Sequence, residues 1–209
     1  MDQGAAPIRH PAPDAVGVAG GHQRHARRAL GMPDLAVAHA LSYGQVPAGL
    51  ELQPAVAFKA RIARIVDLAV GEGVGYGQIW HAERPTRVAL VTAGYADGIR
   101  RGMSNRGCAL VHGTQAPVIG RVSMDQTTLD ITHIPGAAVG DAATFFGEDG
   151  GASLPLASFA AAADTIPHEA LTSICSRVAR VYRRGGRVAK IVRLAGATEV
   201  LSHVSTATF

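Results

Sequence analysis

Lysine and cysteine side chains are scarce in this sequence of 209 residues. Lysine, the usual residue for covalent attachment of a carbonyl group, occurs only as Lys59 and Lys190. The two cysteines, Cys108 and Cys175, are too few for a disulfide framework or a metal cage, and both lie in apolar runs. We therefore expect two buried free thiols, a reducing compartment and no metal site.

Two glycine-rich segments each carry a tyrosine. The first, Gly71-Glu-Gly-Val-Gly-Tyr-Gly77, lacks the Gly-x-Gly-x-x-Gly order and the strand-to-helix setting of a phosphate loop, so we interpret it as a turn. Glycines on both sides of Tyr76 let the backbone approach a ligand closely. The second, Gly94-Tyr-Ala-Asp-Gly98, also has the residue types of a turn, and Asp97 is better explained as a turn former than as an acid.

The basic charge is mild and scattered. The formal net charge is +4, and lysine accounts for only two of the 20 basic residues. The densest basic stretch runs from Arg177 to Arg187 with only Tyr182 interleaved, which favours a solvated element end over a nucleic-acid surface. No stretch reaches the roughly 18 apolar residues of a membrane helix, and the N-terminus shows no apolar signal core. We expect a cytoplasmic protein with neither a nucleic-acid nor a membrane partner.

The elements that must position these residues are mostly short strands. Residues 1–34 show no sustained period and are interpreted as a poorly ordered leader. Two of the later patterns, 108–112 and 117–122, are predicted to form a hairpin joined by Gly113-Thr-Gln-Ala116. The predicted strands lie at 55–66, 87–92, 108–112, 117–122, 127–132, 142–146, 178–182 and 187–194.

Two helix patterns interrupt the strands. The first covers 153–163, with Ser153 as its N-cap, and the second covers 167–177, with Thr165 as a possible cap. Strands at this spacing, without alternating helices, favour a closed or sandwiched antiparallel fold, because closure removes exposed strand edges. The predicted fold class is mainly β, a closed antiparallel Greek-key β-barrel with a short helical pair.

Five segments, in the same order over about residues 36–194, resemble one family. They are the two glycine-rich segments above together with Gly120-Arg-Val-Ser-Met-Asp-Gln126, Asp164-Thr-Ile-Pro-His-Glu169 and Arg177-Val-Ala-Arg-Val-Tyr182. Taken together they resemble the C-terminal domain of alanine racemase. The resemblance implies a β domain that follows an eight-stranded α/β barrel carrying pyridoxal phosphate on a lysine. It also implies a head-to-tail homodimer, in which each active site joins one barrel to the partner's β domain and interconverts L- and D-alanine for peptidoglycan synthesis.

The resemblance also assigns roles to individual residues. Tyr76 matches the tyrosine that exchanges the α-proton on one face of the substrate, while the barrel lysine serves the other face. Met124 matches the residue whose backbone N–H holds the substrate carboxylate. The positions that match the lining of the substrate entryway are Tyr95, Arg101, Arg121 and Asp125.

Each of these assignments has a structural alternative. An ordinary tyrosine has a pKa of roughly 10, so ionising it at pH 7 costs about 4 kcal/mol, and a catalytic Tyr76 needs positive charge or hydrogen bonds nearby. Otherwise Tyr76 is a turn tyrosine whose ring packs on the barrel rim. Met124 could be core filler. Arg101 and Arg121 could be plain surface arginines, although fixed cations at an entryway attract a carboxylate. Asp125 could cap or brace the turn after Met124.

The sequence departs from the family where the cofactor is concerned. Neither Lys59 nor Lys190 stands at the position of the cofactor lysine. An α/β barrel needs on the order of 200 residues, so we expect pyridoxal phosphate to be bound mainly by a barrel domain or racemase partner subunit outside this sequence. His168 stands where most members carry a tyrosine that reaches the cofactor phosphate. Its imidazole can also donate to phosphate, with a different reach.

These observations predict a leader (1–34), an alanine racemase C-terminal β domain (35–194) and a tail (195–209). The function they favour is the C-terminal catalytic half of an alanine racemase, inactive without a barrel domain. Two alternatives stay open: a non-catalytic binding module of the same fold, and a racemase or decarboxylase relative that acts on another amino acid. The Gly-Tyr-Ala-Asp-Gly and Ser-Met-Asp-Gln motifs favour the alanine enzyme.

Overall fold

The computed structural model describes residues 55–193 and the backbone of Thr198 and Glu199. The predicted leader, the start of the predicted β domain and most of the predicted tail lie outside the described residues, so those domain boundaries stay predictions. The strands are Phe58–Leu68 (β1), Gly73–Val74 (β2), Trp80–His81 (β3), Thr86–Val91 (β4), Cys108–Val111 (β5), Thr114–Ile119 (β6), Thr127–Asp130 (β7), Ala142–Asp149 (β8), Ala152–Leu154 (β9), Arg180–Arg184 (β10), Arg187–Val192 (β11) and Thr198–Glu199 (β12). The helices are Leu156–Ala162 (α1) and Pro167–Thr172 (α2), and a 3₁₀ turn spans Arg101–Met103.

The main sheet contains seven strands in the order β1-β4-β7-β6-β5-β8-β9, with every pairing antiparallel. β1 pairs with β8 over residues 58–61 and with β4 over residues 62–68. Its register shifts between Ile62 and Arg64, and such a bulge bends a strand so that it can serve two partners. The architecture is mainly β with two helices, which confirms that part of the predicted fold class.

Aromatic rings from three elements meet in the core. The centroid of the Phe58 ring on β1 lies 5.9 Å from that of Phe145 and 6.0 Å from that of Phe146, both on β8. Phe159 of α1 meets Phe146 edge-on at 5.3 Å. Burial of each ring contributes about 1.5–3 kcal/mol. Since consecutive strand residues point to opposite faces, β8 is covered on both sides, and Phe159 holds α1 against it.

The hairpin of β5 and β6 turns at His112 and Gly113, not over the four residues that the sequence predicts. Their φ angles of 51° and 74° are both positive, as a type I′ turn requires. Thr114 consequently belongs to β6 and pairs with Val111. The prediction was wrong because a non-glycine residue uncommonly takes a positive φ, so the apolar run up to His112 favoured a strand residue there.

Both helices are shorter than predicted. Ser153 lies in β9 and pairs with Glu148, so it cannot cap a helix, and α1 begins only after Pro155, without a side-chain cap. α2 has six residues. Thr165 donates its hydroxyl to the Glu169 carboxylate and does not cap a backbone N–H of the helix.

Cys108 and Cys175 are free thiols, but both are only partly buried, which corrects the expectation of full burial. Cys108 is the first residue of β5, and its thiol lies beside the polar side chain of Gln115. Burial is still sufficient to raise the pKa of the Cys108 thiol. Cys175 lies in the connection between α2 and β10.

A second sheet contains β10, β11 and β12, and β10 is exposed along its whole length. Thr198–Glu199 pairs with Ile191–Val192, although no element is expected there from the sequence. An open strand edge offers such a segment unpaired backbone groups. In the part of the chain that the structure describes, no helix is long and apolar enough to cross a membrane.

Candidate active site

Five of the predicted site residues fall on three loops, residues 75–77, 94–97 and 120–126, which we call the loop cluster. The first loop carries Tyr76, the second Tyr95, and the third Arg121, Met124 and Asp125. Arg101 belongs to the 3₁₀ turn and His168 to α2.

Tyr76 lies at the tip of the small hairpin that β2 and β3 form. Gly75 and Gly77 both have φ angles of 77°, a conformation that glycine adopts without the penalty of a Cβ. The Tyr76 side chain is 78% exposed. A molecule or domain outside this chain can therefore reach its hydroxyl.

The backbone of this hairpin packs closely against the loop that follows β6. A Cβ on Gly75 would lie 3.0 Å from the Arg121 amide nitrogen, and a Cβ on Gly120 would lie 2.9 Å from the Val74 carbonyl oxygen. Such close approaches of two backbones need glycine. Because Gly75 precedes Tyr76 in the chain and lies against the Arg121 backbone, the backbones of these two site residues are close together.

The turn after β4 packs still more closely on the same loop. A Cβ on Gly94 would lie 2.3 Å from the Ser123 carbonyl oxygen and 2.4 Å from the Met124 carbonyl oxygen. Neighbouring amides use those oxygens: the Tyr95 N–H donates to Ser123 at 2.9 Å, and the Ala96 N–H donates to Met124 at 3.0 Å. The structure thus brings Tyr95 and Met124 together.

Met124 lies in a tight turn with its side chain 53% exposed, which excludes the core-filler alternative. Ser123 closes the turn, because its N–H and its hydroxyl both donate to the Gln126 carbonyl oxygen at 3.0 Å. Among the described residues, the Met124 N–H has no hydrogen-bond acceptor. An unpaired N–H in an exposed turn can donate to a carboxylate.

Arg177 joins two loops of the cluster through a pair of carboxylates. Its Nε and Nη2 donate to the two oxygens of Asp97 at 2.7 and 2.8 Å, and Nη2 also donates to Asp125 at 2.6 Å. Asp97 in addition accepts the Gly94 N–H at 2.9 Å, so it forms the turn. The hydrogen bonds to Asp97 and then to Asp125 raise the pKa of Arg177 above its usual range. Asp125 therefore braces the loop after Met124.

Two further side chains hold the segment 120–122 from the side of the 3₁₀ turn. Asn105 Oδ1 accepts a hydrogen bond from the Gly120 N–H at 2.6 Å, and Ser104 Oγ accepts one from the Val122 N–H at 3.0 Å. These bonds tie the turn that carries Arg101 to the segment that carries Arg121. Within residues 55–193, neither of these two guanidinium groups has an ion-pair partner, so both positive charges are available to an outside anion.

An open groove of about 430 Å³ lies beside the loop cluster. Tyr95 and Arg101 both line it, which brings two of the predicted entryway residues together. Cations that line a depression attract carboxylates. The lining residues are Tyr95, Gly98, Arg100, Arg101, Gly102, Ala163 and Ser173.

The contacts of the described residues do not bring His168 into the loop cluster. It is exposed in the first turn of α2. The next residue, Glu169, pairs with Arg100, and a Cβ on Gly98 would lie 3.0 Å from the Ile174 Cα. The region around α2 thus packs near the 94–97 turn, while the His168 imidazole stays open to an outside group.

The two lysines lie away from the loop cluster. Lys59 on β1 donates to the Glu148 carbonyl oxygen at 2.7 Å and lies 3.7 Å from the Asp149 carboxylate. Lys190 lies on β11, opposite Tyr182. The described residues contain no group of three His, Cys, Asp or Glu side chains that could hold a metal ion. What the cluster offers is a phenol, backbone N–H groups and arginines, a set suited to an anion.

The motif-bearing region matches a family model. The model of the alanine racemase C-terminal domain matches residues 55–182, a range that includes the whole loop cluster. The chain belongs to the alanine racemase C-terminal domain family. A curated alanine racemase from Desulfosudis oleivorans is 38% identical over 175 residues, which cover 78% of this chain and 45% of that relative.

Solved structures of alanine racemases share the fold. The enzyme from Bacillus anthracis with bound L-Ala-P superposes with a TM-score of 0.66 at 28% identity, over 73% of this chain and 41% of that one. The enzyme from Bartonella henselae with covalently bound pyridoxal phosphate has a TM-score of 0.53 at 32% identity, over 56% of this chain and 32% of that one. The present chain therefore spans less than half the length of these alanine racemases.

Reasoning from the sequence missed the position of Arg177. It entered only as the first residue of a motif, while Asp97 entered as a turn former and Asp125 as an entryway residue or a brace of the turn after Met124. An ion-pair network between residues so far apart in the chain leaves no periodic signal. Only the tertiary structure shows that one guanidinium serves both carboxylates.

Proposed function

We propose that this chain supplies the β-domain half of an alanine racemase active site, where Tyr76 moves the α-proton on one face of alanine. The observation that carries the proposal is the loop cluster itself. It presents the exposed Tyr76 phenol and the Met124 N–H, which has no acceptor among the described residues, on loops that pack against one another. In the cell, such an enzyme would interconvert L- and D-alanine in the cytoplasm and supply D-alanine for peptidoglycan.

Racemisation needs a proton carrier on each face of the α-carbon, and a positioned acid or base contributes about 10²- to 10⁴-fold to the rate. Tyr76 is the carrier that this chain offers. Nearby positive charge favours a phenolate, and we propose that the partner domain supplies it.

The substrate carboxylate has a donor and a route in the same region. The Met124 N–H would hold the carboxylate, and a charge-assisted hydrogen bond of this type is stronger than one between neutral groups. Arg101 and Arg121 have no ion-pair partners in the described part of the chain, so their charges would attract alanine into the entryway. Tyr95 and Asp125 would complete its lining, Asp125 in contact with Arg177.

Pyridoxal phosphate would be held mainly by a barrel domain with its own lysine. The described residues of this chain could add only a supporting contact to the cofactor phosphate. His168 is exposed on α2 and can donate to a phosphate, whereas Lys59 is engaged with Glu148 and Asp149. When bound, the cofactor supplies the electron sink that lets the α-proton leave.

A large partner surface is consistent with the exposed apolar side chains around the hairpin tip and helices. Tyr76, Ile79, Tyr95, Met124 and Ile166 are all exposed, and exposed apolar surface beside a site is the kind that a partner covers. We propose that the barrel domain of a racemase partner subunit covers them, as in a head-to-tail dimer.

We also propose that the main sheet closes into a Greek-key barrel. The pairings run from β1 through β4, β7, β6, β5 and β8 and back to β1, and closure would remove two open edges. If amide hydrogen exchange is as slow along residues 58–61 as along residues 62–68, the result would support closure of the sheet. Rapid exchange confined to 58–61 would contradict it.

The test of the function is complementation. The full chain is mixed with a lysine-bearing racemase barrel domain and pyridoxal phosphate, and the formation of D-alanine from L-alanine is measured. We expect turnover with the wild-type chain and a rate lower by about 10²- to 10⁴-fold for Tyr76→Phe. The matched control is Tyr182→Phe, which removes the hydroxyl of a 51% exposed tyrosine on β10 and should leave the rate unchanged.

Turnover by Tyr76→Phe at the wild-type rate would show that this tyrosine is not the proton carrier. Turnover of serine or lysine in preference to alanine would favour a relative with another substrate. Absence of turnover, with the chain folded and bound to the barrel, would favour a non-catalytic module.

A further inference from the structure

Arg177 connects the 94–97 turn to the 120–126 loop through side chains. The two Asp97 oxygens and one Asp125 oxygen accept its hydrogen bonds over 2.6–2.8 Å. Asp97 is itself only 13% exposed and accepts the Gly94 N–H. The guanidinium therefore bonds at one end to a fixed turn and at the other to the residue directly after Met124.

This geometry depends on arginine. A guanidinium presents its N–H groups in a rigid planar fork, whereas a lysine ammonium is a compact charge on a flexible stem. Two nitrogens of Arg177 serve three carboxylate oxygens here. Arg177 and Asp125 are 38% and 59% exposed, so substitutions at these positions leave the apolar core intact.

Met124 lies between two anchored groups. On one side, its own carbonyl oxygen and that of Ser123 accept N–H groups from the 94–97 turn. On the other side, Asp125 is held by Arg177. The Met124 N–H is left without an acceptor among the described residues, although the backbone on either side of it is held.

We propose that Arg177 is the positioning residue for the Met124 N–H: by holding Asp97 and Asp125 together, it sets the direction in which that N–H meets a substrate carboxylate. The inference rests on the proposed function, because it takes the carboxylate of an amino acid as the ligand. Arg177 acts through the two aspartates and touches no substrate.

Amide hydrogen exchange in the ¹⁵N-labelled full chain tests this directly. The Tyr95 and Ala96 amides report on the contact between the two loops, and the Val118 amide, which donates to Gly107 at 2.8 Å, reports on the main sheet. For Arg177→Lys we expect Tyr95 and Ala96 to exchange faster by on the order of tenfold, because a charge-assisted network contributes more than a neutral bond. Val118 should keep its wild-type rate.

Two further variants separate positioning from general destabilisation. Arg183→Lys alters an arginine of the β10–β11 hairpin whose hydrogen bond goes to the nearby Gly186 carbonyl oxygen, and all three reporter rates should stay at their wild-type values. Asp125→Asn removes one charge of the network. The double variant Arg177→Lys with Asp125→Asn should exchange no faster than Arg177→Lys alone, since both changes remove one shared interaction.

The kinetic counterpart is measured in the mixture with the barrel domain. Arg177→Lys should raise KM for alanine by on the order of tenfold and leave kcat nearly unchanged, as expected when a ground-state contact to the carboxylate is weakened. Unchanged exchange at Tyr95 and Ala96, equal acceleration at Val118, or an unchanged KM would each overturn the proposal. An inactive wild-type mixture would count against the proposed function instead, because the exchange measurement needs no barrel.

Discussion

Alanine at position 94 should destabilise the loop cluster far more than alanine at position 136, where a Cβ meets open space apart from one atom at 3.9 Å. The new Cβ would lie 2.3 Å and 2.4 Å from two backbone carbonyl oxygens, those of Ser123 and Met124. Ordinary contact begins at 3.4 Å, so the two loops would have to separate by about 1 Å. No flexible side chain is available to absorb this shift.

Moving the two loops apart lowers the free energy of unfolding in two ways. Overpacking of this kind costs about 1–3 kcal/mol. The hydrogen bonds from Tyr95 and Ala96 to the same two oxygens would be lost, at about 1 kcal/mol each. We therefore expect Gly94→Ala to lower the free energy of unfolding by about 3–5 kcal/mol, a large fraction of the total for a domain.

Urea denaturation of the full chain measures this difference. The matched control is Gly136→Ala, because a Cβ there would meet only His112 Nδ1, at 3.9 Å, and the change should stay within about 0.5 kcal/mol. If Gly94→Ala proved as stable as Gly136→Ala, the close approach of the two loops would be refuted, and with it the placement of Met124.

Three other predictions concern the core, the pH dependence and the entryway. Phe146→Ala should lower the free energy of unfolding by about 3–5 kcal/mol in thermal denaturation, because the ring is buried against Phe58 and Phe159. Burial raises the pKa of the Cys108 thiol, so the free energy of unfolding should fall as the pH rises from the unfolded-state pKa towards the folded-state pKa of this thiol. Denaturation at alkaline pH measures this fall, and Cys108→Ala should remove it. An equal fall in the variant would contradict the prediction. In the barrel mixture, Arg121→Gln should reduce the salt dependence of kcat/KM for alanine relative to wild type, whereas an unchanged salt slope would exclude steering by this residue.

The strands of the body could be predicted from the sequence because their apolar alternation is a local signal. Thr86–Val91 and Thr127–Asp130 differ from their predicted ranges by only one or two residues at an end. The hairpin turn at His112 and the strand position of Ser153 could not be predicted, because tertiary pairing overrides the local preferences of these two residues.

The residues of the candidate site could be predicted from sequence motifs, but the hydrogen bonds that join them could not. The glycine-rich segments indicated Tyr76 and Tyr95 at turns, and the structure places both there. The bonds that Arg177 makes to Asp97 and Asp125 join residues that lie in separate motifs. Which carboxylates a given arginine meets is decided by the packing of loops, for which a single sequence carries no periodic or compositional signal.

Isotope exchange in heavy water shows whether Tyr76 carries the α-proton on one face of alanine. L-alanine and D-alanine are incubated separately with the full chain, a racemase barrel domain and pyridoxal phosphate, and deuterium at the α-carbon is measured. We expect exchange of both enantiomers with the wild-type chain, and loss of exchange for only one enantiomer with Tyr76→Phe. Undiminished exchange of both enantiomers by Tyr76→Phe would contradict it.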